Sequence, residues 1–261
     1  SNGLGCVYHS TGDYEKAAEF FNKALALEPN YASAYNGLAW IENHNRHFDK
    51  AIEYCMKGLS ADENYAALWN NLGYAHDELG NFNKAVECYE KALAIDKKDA
   101  NTWNNIGSTY DELGDYDKAI EYCTKATEIA PKDANAWNNL GYAYSHKGEF
   151  DKAIECFNKA VQFNKNSAVA WNGLGTAYNH KKNYSKAVSC CKKAVEIDPN
   201  YANAWNGLGY AYGGLGKVKD SINAYQKAAD LAPEVEMYRK NLEHAKDRAS
   251  GKIQELFKKQ K

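Results

Sequence analysis

The stretch Ala134–Ser167, ANAWNNLGYAYSHKGEFDKAIECFNKAVQFNKNS, decides the fold. Shifted by 34 residues it overlays related segments: Trp137 falls on Trp103, Trp171 and Trp205, and Gly141 on Gly107, Gly175 and Gly209. Self-similarity at a fixed period is the signature of a solenoid. Within one period Trp137, Leu140, Gly141 and Tyr144 share a stripe at 3.6 residues per turn, which predicts a short amphipathic helix. Gly148 ends it, because glycine accepts the left-handed conformation that closes a helix C-terminus. Phe150, Ala153, Phe157 and Ala160 form the stripe of a second helix. The unit is a helical hairpin.

Composition bounds the rest. The chain has 261 residues, 25% charged and 44% hydrophobic, as in ordinary globular proteins. No apolar run approaches the roughly 18 residues of a membrane span. A net charge of −2 gives no electrostatic case for nucleic acid or an anionic membrane. Ser1 opens in mid-repeat without a methionine, which reads as a segment cut from a longer chain. Six of the seven cysteines (Cys55, Cys88, Cys123, Cys156, Cys190, Cys191) fall on second helices at or beside the aromatic packing position. Their spacing follows the repeat and matches no metal-ligand or disulfide pattern, so they read as buried, reduced thiols in a cytoplasmic, reducing compartment.

Seven repeats run without insertion or deletion: 1–31, 32–65, 66–99, 100–133, 134–167, 168–201 and 202–235. All four prolines, Pro29, Pro131, Pro199 and Pro233, stand at the same repeat position, where they block continuation of the second helix. The pattern W-x-x-L-G-x-x-Y, then A-x-x-x with an aromatic or Cys, a small residue and Pro, resembles the tetratricopeptide repeat family over nearly the whole chain. The resemblance implies an all-α, right-handed superhelical solenoid of helix-turn-helix repeats, with first helices lining a concave, peptide-contacting groove. Residues 236–250 keep a stripe of Tyr238, Leu242 and Ala245 on an otherwise polar helix, which fits a C-terminal capping helix. Residues 251–261 form a basic tail, in which Ile253, Leu256 and Phe257 suggest a segment able to occupy an acidic groove.

The second repeat departs most from the pattern: Glu42 replaces Tyr, Arg46 the turn glycine, Gly58 a small alanine and Glu63 the proline. It is expected to be the softest. Lys182 likewise replaces the turn glycine of the sixth repeat, where a left-handed conformation costs roughly 1 kcal/mol.

No catalytic constellation is present: no G-x-S-x-G, P-loop, H-E-x-x-H or dinucleotide fingerprint occurs, and no strand pattern. The expectation is therefore no enzyme activity, no cofactor and no metal site. Residues away from the packing stripe of the first helices carry the functional reading. Counting from each opening alanine, positions 2, 5, 9, 12 and 13 spread over one separate arc. Position 5 is Asn throughout (Asn2, Asn36, Asn70, Asn104, Asn138, Asn172, Asn206), which reads as a ladder of surface amides for the backbone of an extended peptide. On that reading, changing Asn70, Asn104 and Asn138 to Ala would leave melting nearly unaltered. Position 9 alternates aromatic with small, placing Trp40, Tyr74, Tyr142 and Tyr210 beside the ladder. Positions 12 and 13 put four carboxylates in the third and fourth repeats (Asp77, Glu78, Asp111, Glu112), and His146 and His180 at position 13 of the fifth and sixth.

The sequence thus predicts a protein- or peptide-binding scaffold or adaptor whose groove takes an extended, basic partner, with no nucleic acid and no membrane. No Lys or Arg occupies positions 2, 5, 6, 9, 12 or 13 of the seven repeats, which argues against acidic chaperone tails. The alternatives are a regulatory or substrate-selecting arm of a larger multidomain enzyme and a self-assembling homo-oligomeric scaffold.

Overall fold

A computed structural model describes residues 2–251; the tail segment from 252 onward, with its apolar stripe, lies outside the described residues. These contain helices and no strand. The chain packs as two compact bodies, Ser1–Pro131 and Lys132–Lys261. In the N-terminal body the helices are α1 (Asn2–Ser10), α2 (Tyr14–Leu27), α3 (Ala32–His44), α4 (Phe48–Ala61), α5 (Ala66–Glu78), α6 (Phe82–Ile95), α7 (Ala100–Glu112) and α8 (Tyr116–Ile129). In the C-terminal body they are α9 (Ala134–His146), α10 (Phe150–Phe163), α11 (Ala168–His180), α12 (Tyr184–Ile197), α13 (Ala202–Gly214), α14 (Val218–Leu231) and α15 (Glu236–Ala249). Odd-numbered helices are first helices of repeats and even-numbered ones second helices.

The hairpin turn demands a left-handed residue. Gly12, Gly80, Gly114, Gly148 and Gly216 supply it, and Arg46 and Lys182 are forced into it at φ 62° and 58°. Both side chains carry the steric cost that glycine escapes. The connection to the next repeat is held by the position-4 aromatic. Trp69, Trp103, Trp171 and Trp205 each donate from Nε1 to the carbonyl six residues earlier at 2.9 Å, and Tyr35 does the same from its hydroxyl to Pro29 at 3.1 Å. The indole covers apolar surface and satisfies a loop carbonyl at once.

Inside the hairpins, position 24 faces position 8, which is glycine in every repeat but the second, where Ala39 stands. Rings and thiols alternate there, as Phe21, Cys55, Tyr89 and Cys123 in the N-terminal body and Phe157, Cys191 and Tyr225 in the C-terminal body, all buried. A Cβ added at Gly73 would lie 2.7 Å from the Tyr89 ring, and one at Gly175 would lie 2.5 Å from Cys191 Sγ. The glycine is a packing requirement. The six second-helix cysteines are buried as expected, and burial pushes the thiols of Cys55, Cys156 and Cys191 up to about 12. A thiol so resistant to ionisation is a space-filler and not a nucleophile.

Gly58 is a compensated change and not simply a defect of the second repeat. Leu68 stands at the facing position where other repeats have Ala34, Thr102, Ala136, Ala170 or Ala204, and its side chain would lie 2.6 Å from a Cβ at 58. Volume lost on α4 is regained on α5. At the chain's other end, α15 buries Tyr238, Leu242 and Ala245 against Tyr225, Ala228 and Ala229 of α14. It occupies the place of a first helix in a further repeat.

Candidate functional site

The position-5 asparagines are half-buried, and Asn172 is only 7% exposed, so the expected row of surface amides is not what the fold builds. The reason is a side-chain clasp between successive repeats. Asn71 Nδ2 donates to Asn36 Oδ1 at 2.9 Å and Asn105 Nδ2 to Asn70 Oδ1 at 3.1 Å. In the C-terminal body Asn241 Nδ2 donates to Asn206 Oδ1 at 2.8 Å. Each donor is the position-6 residue of the following first helix. Where position 6 is glycine, as at Gly37, Gly173 and Gly207, the amide oxygens of Asn2, Asn138 and Asn172 are buried without a donor. Part of the ladder is therefore scaffold. Removing Asn70 leaves the Asn105 amide unmatched, so the melting point should fall where the sequence suggested no change.

Several of the aromatics predicted to read side chains are engaged by the protein itself. Trp40 is half-buried, its ring 5.4 Å from Tyr14 and stacked on His44 at 5.2 Å. Tyr74 meets the edge of Phe48 at 6.4 Å. Tyr142 packs edge-on to Phe157 at 5.1 Å, and its hydroxyl, joined to Tyr201 and the Asn172 amide, is pushed up by burial. Tyr210 is 54% exposed, its ring tilted 6.3 Å from that of Tyr184. His146 lies beside Tyr142 at 6.2 Å, and His180 stacks on Phe150 at 4.5 Å. Both imidazole rings lie against aromatic faces and both residues are exposed.

Position 12 shows what the arc tolerates. Asn43 and Asn179 are buried, and their Nδ2 groups donate to backbone carbonyls of the next first helix, Asn71 at 3.0 Å and Gly207 at 2.9 Å. Asp77 at the same position has no such donor when ionised. It accepts from the Thr109 hydroxyl on α7 at 2.9 Å, and burial, opposed by that bond, raises its carboxyl to about 6. Glu78 and Glu112 add repulsion to the same carboxyl in the direction of burial. Glu78 is exposed and meets Arg46 at 3.4 Å, while Asp111 is half-buried and Glu112 exposed. The four carboxylates thus sit on two adjacent helices, bridged by one hydroxyl. Arg46 takes part of the site that a cation would use.

Sequence reading missed the clasp donors Asn71, Asn105 and Asn241, the bridge Thr109 and the buried Asn43 and Asn179. The recurring 35-residue Asn spacing was the available signal for the clasp. No group of His, Cys, Asp and Glu among the described residues is arranged to hold a metal ion. No described helix is long and apolar enough to cross a membrane.

Helical hairpins packed in sequence within each body, with polar residues recurring on their first helices, define a helical-repeat protein. Sequence comparison makes the class specific: three profiles described as tetratricopeptide repeat match residues 99–166, residues 2–31, 66–99 and 168–201, and residues 20–53 and 190–223. The chain belongs to the tetratricopeptide repeat family. A search of curated proteins finds no match. Among solved structures, a chain of the APC/C hetero-tetramer Cut9–Hcn1 has a TM-score of 0.82 at 20% identity, covering 92% of this chain and 48% of its own. The present chain therefore spans about half the length of that structure. A tetratricopeptide repeat protein from Parabacteroides merdae ATCC 43184 has a TM-score of 0.69 at 18% identity, covering 93% of this chain and 96% of its own. YrrB, described as a TPR protein with an unusual peptide-binding site, has a TM-score of 0.56 at 24% identity, covering 72% of this chain and 96% of its own. At these identities the likeness is one of fold.

Proposed function

We propose that the chain is a protein- or peptide-binding scaffold whose first helices take an extended partner, and that α5 and α7 select basic residues in it. The observation that carries this reading is Asp77. Its carboxyl is held near pKa 6 by burial, against the preference of the fold, at a position where an amide bonds the backbone in two other repeats. Perturbed ionisable groups of this kind gather at functional sites. A lysine or arginine from a partner would offset the burial of Asp77 and the mutual repulsion of Asp77, Glu78 and Glu112, with Asp111 alongside. In the N-terminal body the amides of Asn36, Asn70 and Asn104 are half-buried on the first helices, where they supply donors to peptide carbonyls; in the C-terminal body Asn138 and Asn206 are placed likewise, and exposed Tyr210, His146 and His180 offer stacking surfaces. The family resemblance supports the placement of this arc on the concave side, and YrrB is a precedent within the fold for peptide binding.

The test is fluorescence anisotropy with a labelled alternating Gly-Lys heptapeptide and its Gly-Glu counterpart. The lysine peptide should bind and weaken as salt is added, the glutamate peptide should not bind, and the Asp77→Asn, Glu78→Gln, Asp111→Asn, Glu112→Gln variant should lose about tenfold or more, worth about 1.4 kcal/mol. Equal binding of both peptides, or an unchanged affinity in the fourfold variant, would defeat the proposal.

A further inference from the structure

The ring at position 17 of a repeat is held by positions 9 and 13 of the next first helix. Trp40 lies 5.4 Å and His44 4.7 Å from Tyr14, Tyr74 lies 6.4 Å from Phe48, and His180 lies 4.5 Å from Phe150. Six repeats carry such a ring, Tyr14, Phe48, Phe82, Tyr116, Phe150 and Tyr184, each half-buried. The seventh has Val218, which is 41% exposed. Its two flanking positions are kept, as His244 and Arg248 on α15, while Gly213 and Gly214 remove the side chains of positions 12 and 13 on α13. A cavity of about 270 Å³ opens among these residues, within the C-terminal body. Of the rings that line it, Tyr225 is the buried one, 8% exposed and packed over Gly209, where a Cβ would fall 2.7 Å from it. Its hydroxyl has no hydrogen-bond partner among the described residues, and the groups that act on it electrostatically, Tyr210 and Arg248, both stand in the cavity wall. The hydroxyl of Tyr89, at the same position of the third repeat, is sealed from solvent; that of Tyr225 is open to the cavity.

The filled repeats say what the cavity lacks. His244 and Arg248 are exposed at its mouth, no carboxylate lines it, and Arg248 makes no ion pair among the described residues. A guanidinium without a carboxylate is attracted to the face of a ring, as Arg46 is to Phe48 at 5.5 Å. Val218, Ala245 and the rings of Tyr184 and Tyr210 make the walls apolar. A phenyl ring alone would cover the Tyr225 hydroxyl and leave it unmatched, whereas a phenol both donates to and accepts from it. Three of the six position-17 rings, Tyr14, Tyr116 and Tyr184, are themselves phenols. We propose that this cavity binds the side chain of a tyrosine in a bound peptide, its ring standing where Val218 leaves the position-17 ring missing and its hydroxyl bonded to that of Tyr225. The proposal rests on the reading of the first helices as a peptide-binding face. It adds a side-chain specificity of the C-terminal body, independent of the carboxylates on α5 and α7.

The full chain would be titrated with acetyl-Gly-Tyr-Gly-N-methylamide, followed by the ¹H–¹⁵N resonances of the Gly213 and Gly214 backbone and of Arg248 Nε. The phenylalanine, leucine and glutamate tripeptides are the controls: a ring without the hydroxyl, an apolar side chain without a ring, and an anion for Arg248. The tyrosine peptide should bind about threefold more tightly than the phenylalanine one and about tenfold more tightly than the other two, and should shift those resonances. Val218→Phe, which restores the ring of the other repeats, should fill the cavity and abolish that preference. Arg248→Gln, which keeps the helix and removes the charge at the mouth, should weaken tyrosine binding about threefold. Phenylalanine or leucine binding as tightly as tyrosine, glutamate binding more tightly, no binding of any, or an affinity unchanged in either variant would overturn the assignment. The Gly-Lys heptapeptide carries no ring, so its binding should be the same in Val218→Phe, and failure here and failure of the basic-partner reading are separable.

Discussion

The inner arcs of the two bodies are built on one period and differ in chemistry. On α5 and α7 the charge is carboxylate, bridged by Thr109 and partly answered by Arg46. On α11 and α13 the same positions hold buried amides, an imidazole, exposed Tyr210 and the paired glycines Gly213 and Gly214. The packing that makes the hairpin rests on positions 8 and 24, while position 9 is drawn into it where the residue is aromatic and position 12 is bonded to the next first helix where it is asparagine. The chemistry of the arc can thus change over positions 8 and 24 left as they are, and position 12 shows how narrow the margin is. Asparagine there is buried and bonded, whereas aspartate is half-buried and strained toward its protonated form.

Both bodies rest on the same kind of hairpin core, so the heaviest losses come from cutting into it. Phe157 is fully buried and closes against both Gly141 and Gly173. Phe157→Ala should lower the stability of the C-terminal body by about 3–5 kcal/mol in urea unfolding, against roughly 1 kcal/mol for Cys191→Ala, whose side chain is far smaller. Similar losses for the two would mean that rings and thiols are interchangeable fillers.

Next in size is the cost of Asp77. Because burial pushes its folded pKa up to about 6, above the ordinary aspartate value of 3.8, the folded state holds the proton more tightly. Its contribution to stability is therefore full below pH 3.8 and lost as pH rises through 6. Asp77→Asn should stabilise the N-terminal body by about 1–2 kcal/mol at pH 7, after allowance for solvent screening, and by nearly nothing at pH 4. Lysine-peptide binding should weaken in the wild type between pH 7 and pH 5, as the carboxylate is protonated. A pH-independent gain, or none, would place the carboxyl in solvent and remove the contrast with Asn43 and Asn179.

The smallest effect separates the two non-glycine turns. Arg46→Gly and Lys182→Gly should each add about 1 kcal/mol by relieving a left-handed side chain. Only the first should also tighten binding of the lysine peptide, because only Arg46 sits against a carboxylate of the arc, Glu78. If both variants tighten it, the site is not where Arg46 reaches.

Much of the fold was legible because its signals are local and repeated. The turn glycines, the position-8 glycines, the prolines and the alternating second-helix residues each carry one physical requirement at one spacing. The inner arc was legible only in outline. Asn36 and Asn71 look like two copies of a surface residue, since the repeat hides that one holds the other across a helix boundary. Gly58 looks like damage until Leu68 is placed over it. The burial of Asp77 depends on how closely α7 approaches α5, a distance that no periodicity contains. In each case the missing information is a contact between one repeat and the next.

The phenylalanines at position 24 also constrain how such a gene can be cut and rejoined. Phe157 requires glycine sixteen places on, at 173, because a side chain there would begin 2.5 Å from its ring, while Cys55 and Tyr89 are followed by Asn71 and Asn105. Neighbouring modules are therefore matched pairs and not freely exchangeable parts. A recombinant that joined the third repeat directly behind the fifth would set Asn71 against Phe157 and fail at the junction, though both modules fold well in their own places.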